Sequence, residues 1–253
     1  MDLITYGALN NKIKDAVDGI DIPVAMSQLE NDKGYIDEER FNTISEDFVA
    51  FVNMKAPDGL KYAFDSLNGV LYLYGRGFLD TQVTDIAPWK KYGEAIKSVV
   101  VFDGITKIGC RYFNELPNLQ HVFLPNTVTS MDDYAFYNCN AIKSLVIPDS
   151  VNELRYYALA SKGFEKMDFG RGISSLKKLC FRGCVSLHTI ILRYDGVVDF
   201  EVVDATQLGC ANDGGDCYVY VPAAHVAAYQ SHDDAWSMYT GIRAIEDYPD
   251  ICG

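Results

Sequence analysis

The chain has 253 residues, of which 49% are apolar and 23% charged, and its formal net charge at pH 7 is −13. Such a composition is typical of a globular protein that buries a core. The excess of acid excludes nucleic acid and anionic membranes as expected partners, because phosphate contacts need clustered Lys and Arg. The sequence also begins without a secretory signal, and no apolar run approaches the roughly 20 residues that span a bilayer. We therefore expect a soluble chain, made in a cytosol and not inserted into a membrane.

Residues 1–58 have no repeat character and contain two stretches in which apolar residues recur at helical spacing. The first stretch covers about two heptads, which is too short for a stable isolated helix, so it needs a partner. That partner is either the rest of the chain or a sister subunit. The second stretch runs from Phe41 to Phe51, and Pro57-Asp58-Gly59 then breaks the chain. The first stretch consists of Tyr6, Leu9, Ile13, Ala16 and Ile20.

Between these two stretches lies the segment SQLENDKGYI, residues 27–36. It resembles a short motif found near the N-terminus of many bacteriophage fibre proteins, and the opening LITYGALNNKI is similar to their first residues. Lys33 departs from the motif, since a small residue is usual there. The resemblance implies that residues 1–58 form an arm that trimerises and attaches a fibre to other virion proteins. Tyr35 and Ile36 would contribute to that attachment together with the first apolar stretch.

Residues 59–95 contain a hairpin signal, LKYAFDSLNGVLYLYGRGFL, in which apolar residues alternate around Asn68-Gly69. The segment APWKKYGEAIKSV then leads into a repetitive part of the chain. We expect residues 59–95 to cap the N-terminal end of the structure that the repetitive part forms.

A repeat begins at Ile96 and recurs at intervals of 23, 23, 22 and 23 residues. In each unit the fourth and sixth residues are apolar, which predicts a strand with one buried face. A turn and two further core positions come next, and a small residue next to a large one closes the unit, as in Ala135-Phe136. One unit cannot bury its own apolar side, so the units must stack. The predicted inner residues are Val99, Val101, Val122, Leu124, Leu145, Ile147, Met167, Phe169, Ile190 and Leu192.

These units resemble the BspA-like leucine-rich repeat, and the resemblance extends over about residues 60 to 248. It implies an α+β solenoid with repeats at 96–195, a β-hairpin cap at 59–95 and a strand-helix cap at 196–253. The C-terminal cap is carried by CYVYVPAAHVAAYQ, Trp236, Tyr239 and IRAIE. The residues that match the repeat motif are Leu145, Ile147, Pro148, Val151 and Leu154 in one unit, and Tyr134, Ala135, Phe136 and Cys139 in another.

The third and fifth residues of each unit are predicted to point away from the core. Four of the five residues at the fifth position are apolar, and neighbouring strands lie about 4.8 Å apart. A contiguous apolar row on an outer face is typical of an interface, either with a ligand or with the chain's own arm or a sister subunit. The candidate binding residues are Ser98, Val100, His121, Phe123, Ser144, Val146, Lys166, Asp168, Thr189 and Ile191.

The sequence contains no motif for catalysis or for a cofactor: there is no Walker A loop, GxGxxG, HExxH or GxSxG. His225 and His232 are seven residues apart and no third strong ligand accompanies them, so we interpret both as surface residues. The loop Asp213–Asp216 lacks the ligand series of a calcium site. Cys210 and Cys217 flank that loop, and we expect them to stay reduced, with a bridge as the alternative. No metal or cofactor is predicted.

Together these patterns predict a non-enzymatic structural protein of a bacteriophage virion. It would be a head- or tail-associated homotrimeric fibre, made in the host cytoplasm, whose repeats bind a host surface protein, a glycan or a neighbouring protein. The alternative is a bacterial BspA-like surface adhesin or interaction module. The absence of a signal sequence disfavours that alternative, because such adhesins act outside the cell.

Overall fold

The computed structural model describes residues 60–66, 68–78, 87–177, 179–180, 182–201, 216–231, 236 and 239–252. The N-terminal arm, with both of its apolar stretches and the fibre-like segment, lies outside the described residues, as do Cys210 and His232. Within the part that is described, no helix has the length and apolarity needed to cross a bilayer.

The main strands form two sheets that lie end to end along the stack. The order is β1-β2-β3-β5 in the first sheet and β7-β9-β11-β13-β14 in the second, and every pair except β1 with β2 is parallel. Strands β5 and β7 are neighbours in the stack but belong to different sheets. These strands are β1 (Lys61–Asp65), β2 (Val70–Tyr74), β3 (Ser98–Val101), β5 (His121–Phe123), β7 (Ser144–Ile147), β9 (Lys166–Phe169), β11 (Thr189–Leu192), β13 (Tyr218–Val221) and β14 (Gly241–Ala244).

A second row of two-residue strands alternates with the main strands along the chain. Three of them form one parallel sheet, β4-β6-β8, and two form another, β10-β12. Each repeat therefore makes one turn of a solenoid, with a main strand on one side of the core and a short strand on another. The short strands are β4 (Lys107–Ile108), β6 (Ser130–Met131), β8 (Glu153–Leu154), β10 (Ser175–Leu176) and β12 (Asp199–Phe200).

The core runs continuously through the stack, as the repeat pattern predicts. At the fourth and sixth positions the residues of β3, β7, β9 and β11 are buried, whereas Val122 and Leu124 are only half-buried. Aromatic rings join successive turns: Trp89 stacks on Phe113, with 5.9 Å between ring centroids, and Phe113 stacks on Phe136 at 5.1 Å. This arrangement confirms the predicted solenoid of about five parallel-strand turns.

The turn before each closing pair places a non-glycine residue in the left-handed region of the backbone. Arg111, Tyr134, Tyr157 and Leu179 occupy equivalent positions, and their φ angles lie between 56° and 64°. A side chain in this conformation costs free energy that glycine would avoid. Hydrogen bonds to the next turn hold the backbone there, for example from Tyr134 N to the carbonyl oxygen of Tyr156 at 3.0 Å.

Both ends of the repeat stack carry additional elements. At one end the antiparallel β1–β2 hairpin pairs through β2 with β3, and the 3-10 helix Pro88–Tyr92 buries Trp89, whose indole N–H donates to the Tyr112 carbonyl at 2.8 Å. At the other end β13 pairs with β14, and between them lie the 3-10 helix Ala223–His225 and helix α1 (Val226–Gln230). The chain then continues through the 3-10 helix Ile245–Asp247 and helix α2 (Pro249–Cys252).

Candidate functional site

The third and fifth residues of the main strands form one surface of the solenoid, which we call the outer face. Parallel pairing places equivalent residues of successive units side by side, so that Val100 lies next to Phe123 and Val146 next to Asp168. The sequence predicts that all five fifth-position residues are exposed. This prediction is correct only in the middle of the face and wrong at both ends.

At the C-terminal end, residues 245–252 lie across β11 and β13 and cover the outer face. We call this part of the chain the C-terminal segment. Ile191 and Tyr220 are buried in an apolar cluster with Cys252, and Ile245, Tyr248 and Ile251 pack against that cluster. Ile191 is therefore a core residue and not an exposed one, and Thr189, on the same strand, is also buried.

Polar contacts fix the C-terminal segment to the outer face. Arg193 donates from Nε and Nη2 to the two carboxylate oxygens of Asp168, each at 2.7 Å, and Nη2 also donates to the Cys252 carbonyl at 2.5 Å. The hydrogen bond to Asp168 raises the pKa of Arg193 above its ordinary value. Lys166 Nζ donates to the Ile251 carbonyl at 2.5 Å. Lys166, predicted as an exposed binding residue, therefore contacts the C-terminal segment directly, and Asp168, also predicted as exposed, is buried and acts on the segment through Arg193.

At the N-terminal end, Val100 is also buried rather than exposed. It lies between Tyr72 of β2 and Phe123 of β5, which are its neighbours in register. The ring of Tyr72 stacks on Phe102 with 6.3 Å between centroids. The hairpin thus shields this end of the face, and Ser98 beside it is half-buried.

The middle of the outer face is open, and we call His121, Phe123, Ser144 and Val146 the open patch. Val146 is 65% exposed and Phe123 is 38% exposed, while His121 and Ser144 are exposed beside them. The patch lies where the two sheets meet, between β5 and β7. Four of the ten predicted binding residues therefore lie together on one surface. Between β5 and β7, unlike between the other neighbouring main strands that the structure describes, there is no ladder of backbone hydrogen bonds.

The open patch itself carries no acidic side chain. Among the described outer positions of β3, β5 and β7 there is no carboxylate, although the chain carries a net charge of −13. Lys97 and Lys143 precede β3 and β7, and Lys143 pairs with Glu165 at 2.8 Å. The patch therefore combines exposed apolar side chains with outer positions that carry no carboxylate.

A tyrosine ladder, which the sequence reasoning missed, lies on the closing turns of the repeats. Tyr134 stacks on Tyr157 with 5.0 Å between centroids, the Arg111 guanidinium lies 5.3 Å from the Tyr134 ring, and Arg182 donates to the Tyr157 hydroxyl at 3.2 Å. The signal in the sequence is a tyrosine at the same position of two successive units. These contacts stabilise side chains that occupy the strained left-handed turns.

The described residues contain no group of three His, Cys, Asp or Glu side chains placed to hold a metal ion. His225 pairs with Asp195 at 2.8 Å. Burial raises the pKa of the Cys139 thiol to about 12, and its Sγ donates to the Phe113 carbonyl at 2.7 Å. A thiol in that state is a poor nucleophile.

Comparison with known proteins identifies the repeats. Residues 91–198 match the model of the BspA type leucine rich repeat region, in 6 copies. Residues 91–198 are therefore similar to BspA-type leucine-rich repeats, which supports the resemblance drawn from the repeat motif. Repeats of this type are generally binding modules, and no catalytic family is indicated. None of the curated proteins matches the chain.

Several solved structures of leucine-rich-repeat and related proteins are similar to parts of this chain. A leucine-rich repeat protein from Eubacterium ventriosum is 22% identical over 68% of this chain and 44% of its own length, with a TM-score of 0.41. The T. pallidum leucine rich repeat protein is 15% identical over 73% of this chain and 99% of its own, with a TM-score of 0.41. The pneumococcal vaccine antigen PcpA is 16% identical over 74% of this chain and 48% of its own, with a TM-score of 0.45. This chain thus spans less than half of two of these three proteins.

Proposed function

We propose that this chain is a non-enzymatic binding protein whose partner docks on the open patch. The observation that carries this proposal is the exposure of Phe123 and Val146 on a face whose equivalent residues elsewhere are covered. Burial of such side chains stabilises a contact by about 25 cal/mol per Å² of apolar surface removed from water. His121 and Ser144, exposed on the same face, supply polar groups that orient the partner.

The virion role is part of the same proposal. Residues 1–58 would attach the protein to other virion proteins and form a trimer, and the repeat domain would present the open patch to a host surface protein, a glycan or a neighbouring molecule. The fibre-like segment at residues 27–36 supports this assignment. The chain would be made in the host cytoplasm and located in the virion.

A bacterial surface adhesin is the second candidate, and it is favoured by the match of the repeats to the BspA type. The two candidates differ in genomic context. Neighbouring genes for capsid, portal and tail proteins support the virion role, whereas a locus of cell-envelope genes supports the adhesin.

The substitution Phe123→Asp tests the docking surface. We expect the variant to keep the circular dichroism spectrum and melting temperature of the wild type, because Phe123 is on the outer face and partly exposed. Binding to host cells or reconstituted particles should fall by about tenfold or more, since a buried aromatic contact is replaced by a charge. Val185→Asp is the control, because Val185 is 43% exposed and lies outside the main strands. If the Phe123→Asp variant unfolds, Phe123 belongs to the core and its assignment to the outer face is wrong. If the variant folds and binds normally, the partner does not dock on the open patch.

The second test concerns the oligomeric state. We expect the full-length protein to be a trimer by light scattering, because the apolar stretch in the arm is too short to be stable without a partner. The double variant Leu9→Asp, Ile13→Asp places charges in that stretch and should shift the mass to the monomer. A wild-type protein that stays monomeric at high concentration would contradict the proposed arm.

A further inference from the structure

The C-terminal segment shows what kind of chain the outer face accepts. Its sequence, IEDYPDIC, places apolar residues at positions 245, 248, 251 and 252 and acidic residues at 246, 247 and 250. The apolar residues pack on Ile191 and Tyr220, and the acidic residues are exposed. The face therefore holds a short peptide that is both apolar and acidic.

Cations of the outer face surround this peptide. Lys166 and Arg193 donate to its carbonyl oxygens, and the guanidinium of Arg243 lies 5.1 Å from the ring of Tyr248. The three acidic side chains of the segment are exposed, and Glu246 accepts a hydrogen bond from the backbone N–H of Ala223 at 3.0 Å.

The open patch continues the same face by one strand. In register, Ser144 of β7 is the neighbour of Lys166, and Val146 is the neighbour of Asp168. A partner on the open patch would therefore lie beside the C-terminal segment, over Val146 and Phe123. Lys97, which is exposed, immediately precedes β3.

We propose that the open patch binds an acidic, apolar peptide segment of a partner protein, similar in chemistry to the C-terminal segment. Aliphatic or aromatic side chains of that peptide cover Phe123 and Val146, and its carboxylates face Lys97, which precedes β3. This inference rests on the proposed docking function and specifies its partner. Continuity with the covered part of the face favours this occupant, and the described outer positions of β3, β5 and β7 carry no carboxylate that would repel it.

The test measures binding of a fluorescein-labelled peptide, acetyl-IEDYPDI-amide, to the full-length protein by fluorescence anisotropy. We expect saturable binding that weakens by about tenfold in Val146→Asp and stays unchanged in Val185→Asp. The peptide with its three acids changed to Lys and the peptide with its Tyr and both Ile residues changed to Ser should each bind at least tenfold more weakly. Binding should also weaken as the salt concentration rises from about 50 to about 500 mM, because salt screens the contribution of the charges.

Several results would overturn the inference. Equal affinity for the acidic and lysine peptides would remove charge as the basis of selection. Binding that Val146→Asp leaves intact would place the peptide elsewhere, for instance in exchange with the C-terminal segment. Peptide binding that appears only in the Leu9→Asp, Ile13→Asp variant would identify the chain's own arm as the occupant. Self-association that Val146→Asp abolishes would identify a second copy.

The results of the peptide test and of the docking test are independent, so the failure of one can be told from the failure of the other. If no peptide binds while Phe123→Asp still loses cell or particle binding, the proposed function stands and the partner has a different chemistry. If the peptide binds and Phe123→Asp keeps full binding to cells and particles, the patch is a peptide site but not the surface that docks on them.

Discussion

Replacing Phe136 by Ala is expected to lower the free energy of unfolding by about 3–5 kcal/mol. The ring is fully buried and stacks on Phe113, which in turn stacks on Trp89, so its loss leaves a cavity between two turns of the solenoid. Neighbouring turns contact little except each other, and the stack therefore loses cooperativity as well as packing.

Chemical denaturation with urea, followed by circular dichroism, measures this loss. Val185→Ala is the control, because it removes a partly exposed side chain and should change the stability by about 0.5 kcal/mol or less. If Phe136→Ala has the same midpoint as the wild type, the closing residue does not lie in the shared core and the repeat alignment is wrong.

The repeat period contains most of the information about the fold. Alternation at the fourth and sixth positions assigns one face of each strand to the core, and a recurrence of 22 or 23 residues stacks the strands in register. Both are local properties of one unit and its neighbour, so they can be read without knowledge of the rest of the chain. For this reason Leu145, Ile147 and Phe169 were predictable as core residues.

What covers the outer face could not be predicted from the period. The same alternation places Val146 and Ile191 at equivalent positions, yet Val146 is exposed and Ile191 is fully buried. The difference arises from the C-terminal segment, which contacts residues far away in the sequence; Ile251 lies 85 residues beyond Lys166, to which it is hydrogen-bonded. A weak signal exists, since the apolar residues of IEDYPDIC recur every three residues, but it does not indicate which surface they meet.

The repeat motif also did not predict the left-handed backbone conformation of the turns. Tyr134 was assigned to the repeat motif by residue type. Its φ angle of 60°, and that of 56° at Tyr157, belong to a turn that glycine or asparagine would adopt more easily. Stacking between the two rings accounts for aromatic residues at these positions, and such stacking becomes visible only when the units are superposed in space.

The contact between Asp168 and Arg193 should be the most sensitive polar contact of the outer face. Both carboxylate oxygens of Asp168 accept from Arg193, and the carboxylate side chain is 9% exposed. Arg193→Met keeps the aliphatic part of the side chain but leaves a carboxylate in a nearly dry environment without this partner. Removal of one member of a fully buried pair costs about 3–5 kcal/mol, and because Arg193 is 32% exposed we expect about 2–3 kcal/mol here.

This substitution should also release the C-terminal segment, because Arg193 holds the Cys252 carbonyl as well as Asp168. Hydrogen exchange of residues 245–252 should accelerate while the amides of β7 and β9 keep their protection, and the buried Cys252 thiol should become reactive towards iodoacetamide. The double variant Asp168→Leu, Arg193→Met separates charge from packing: it removes the uncompensated carboxylate and should recover most of the stability while the segment stays exchangeable. Unchanged exchange in Arg193→Met would mean that the arginine is not needed, and that the apolar contacts of Tyr248 and Ile251 hold the segment together with the hydrogen bond from Lys166.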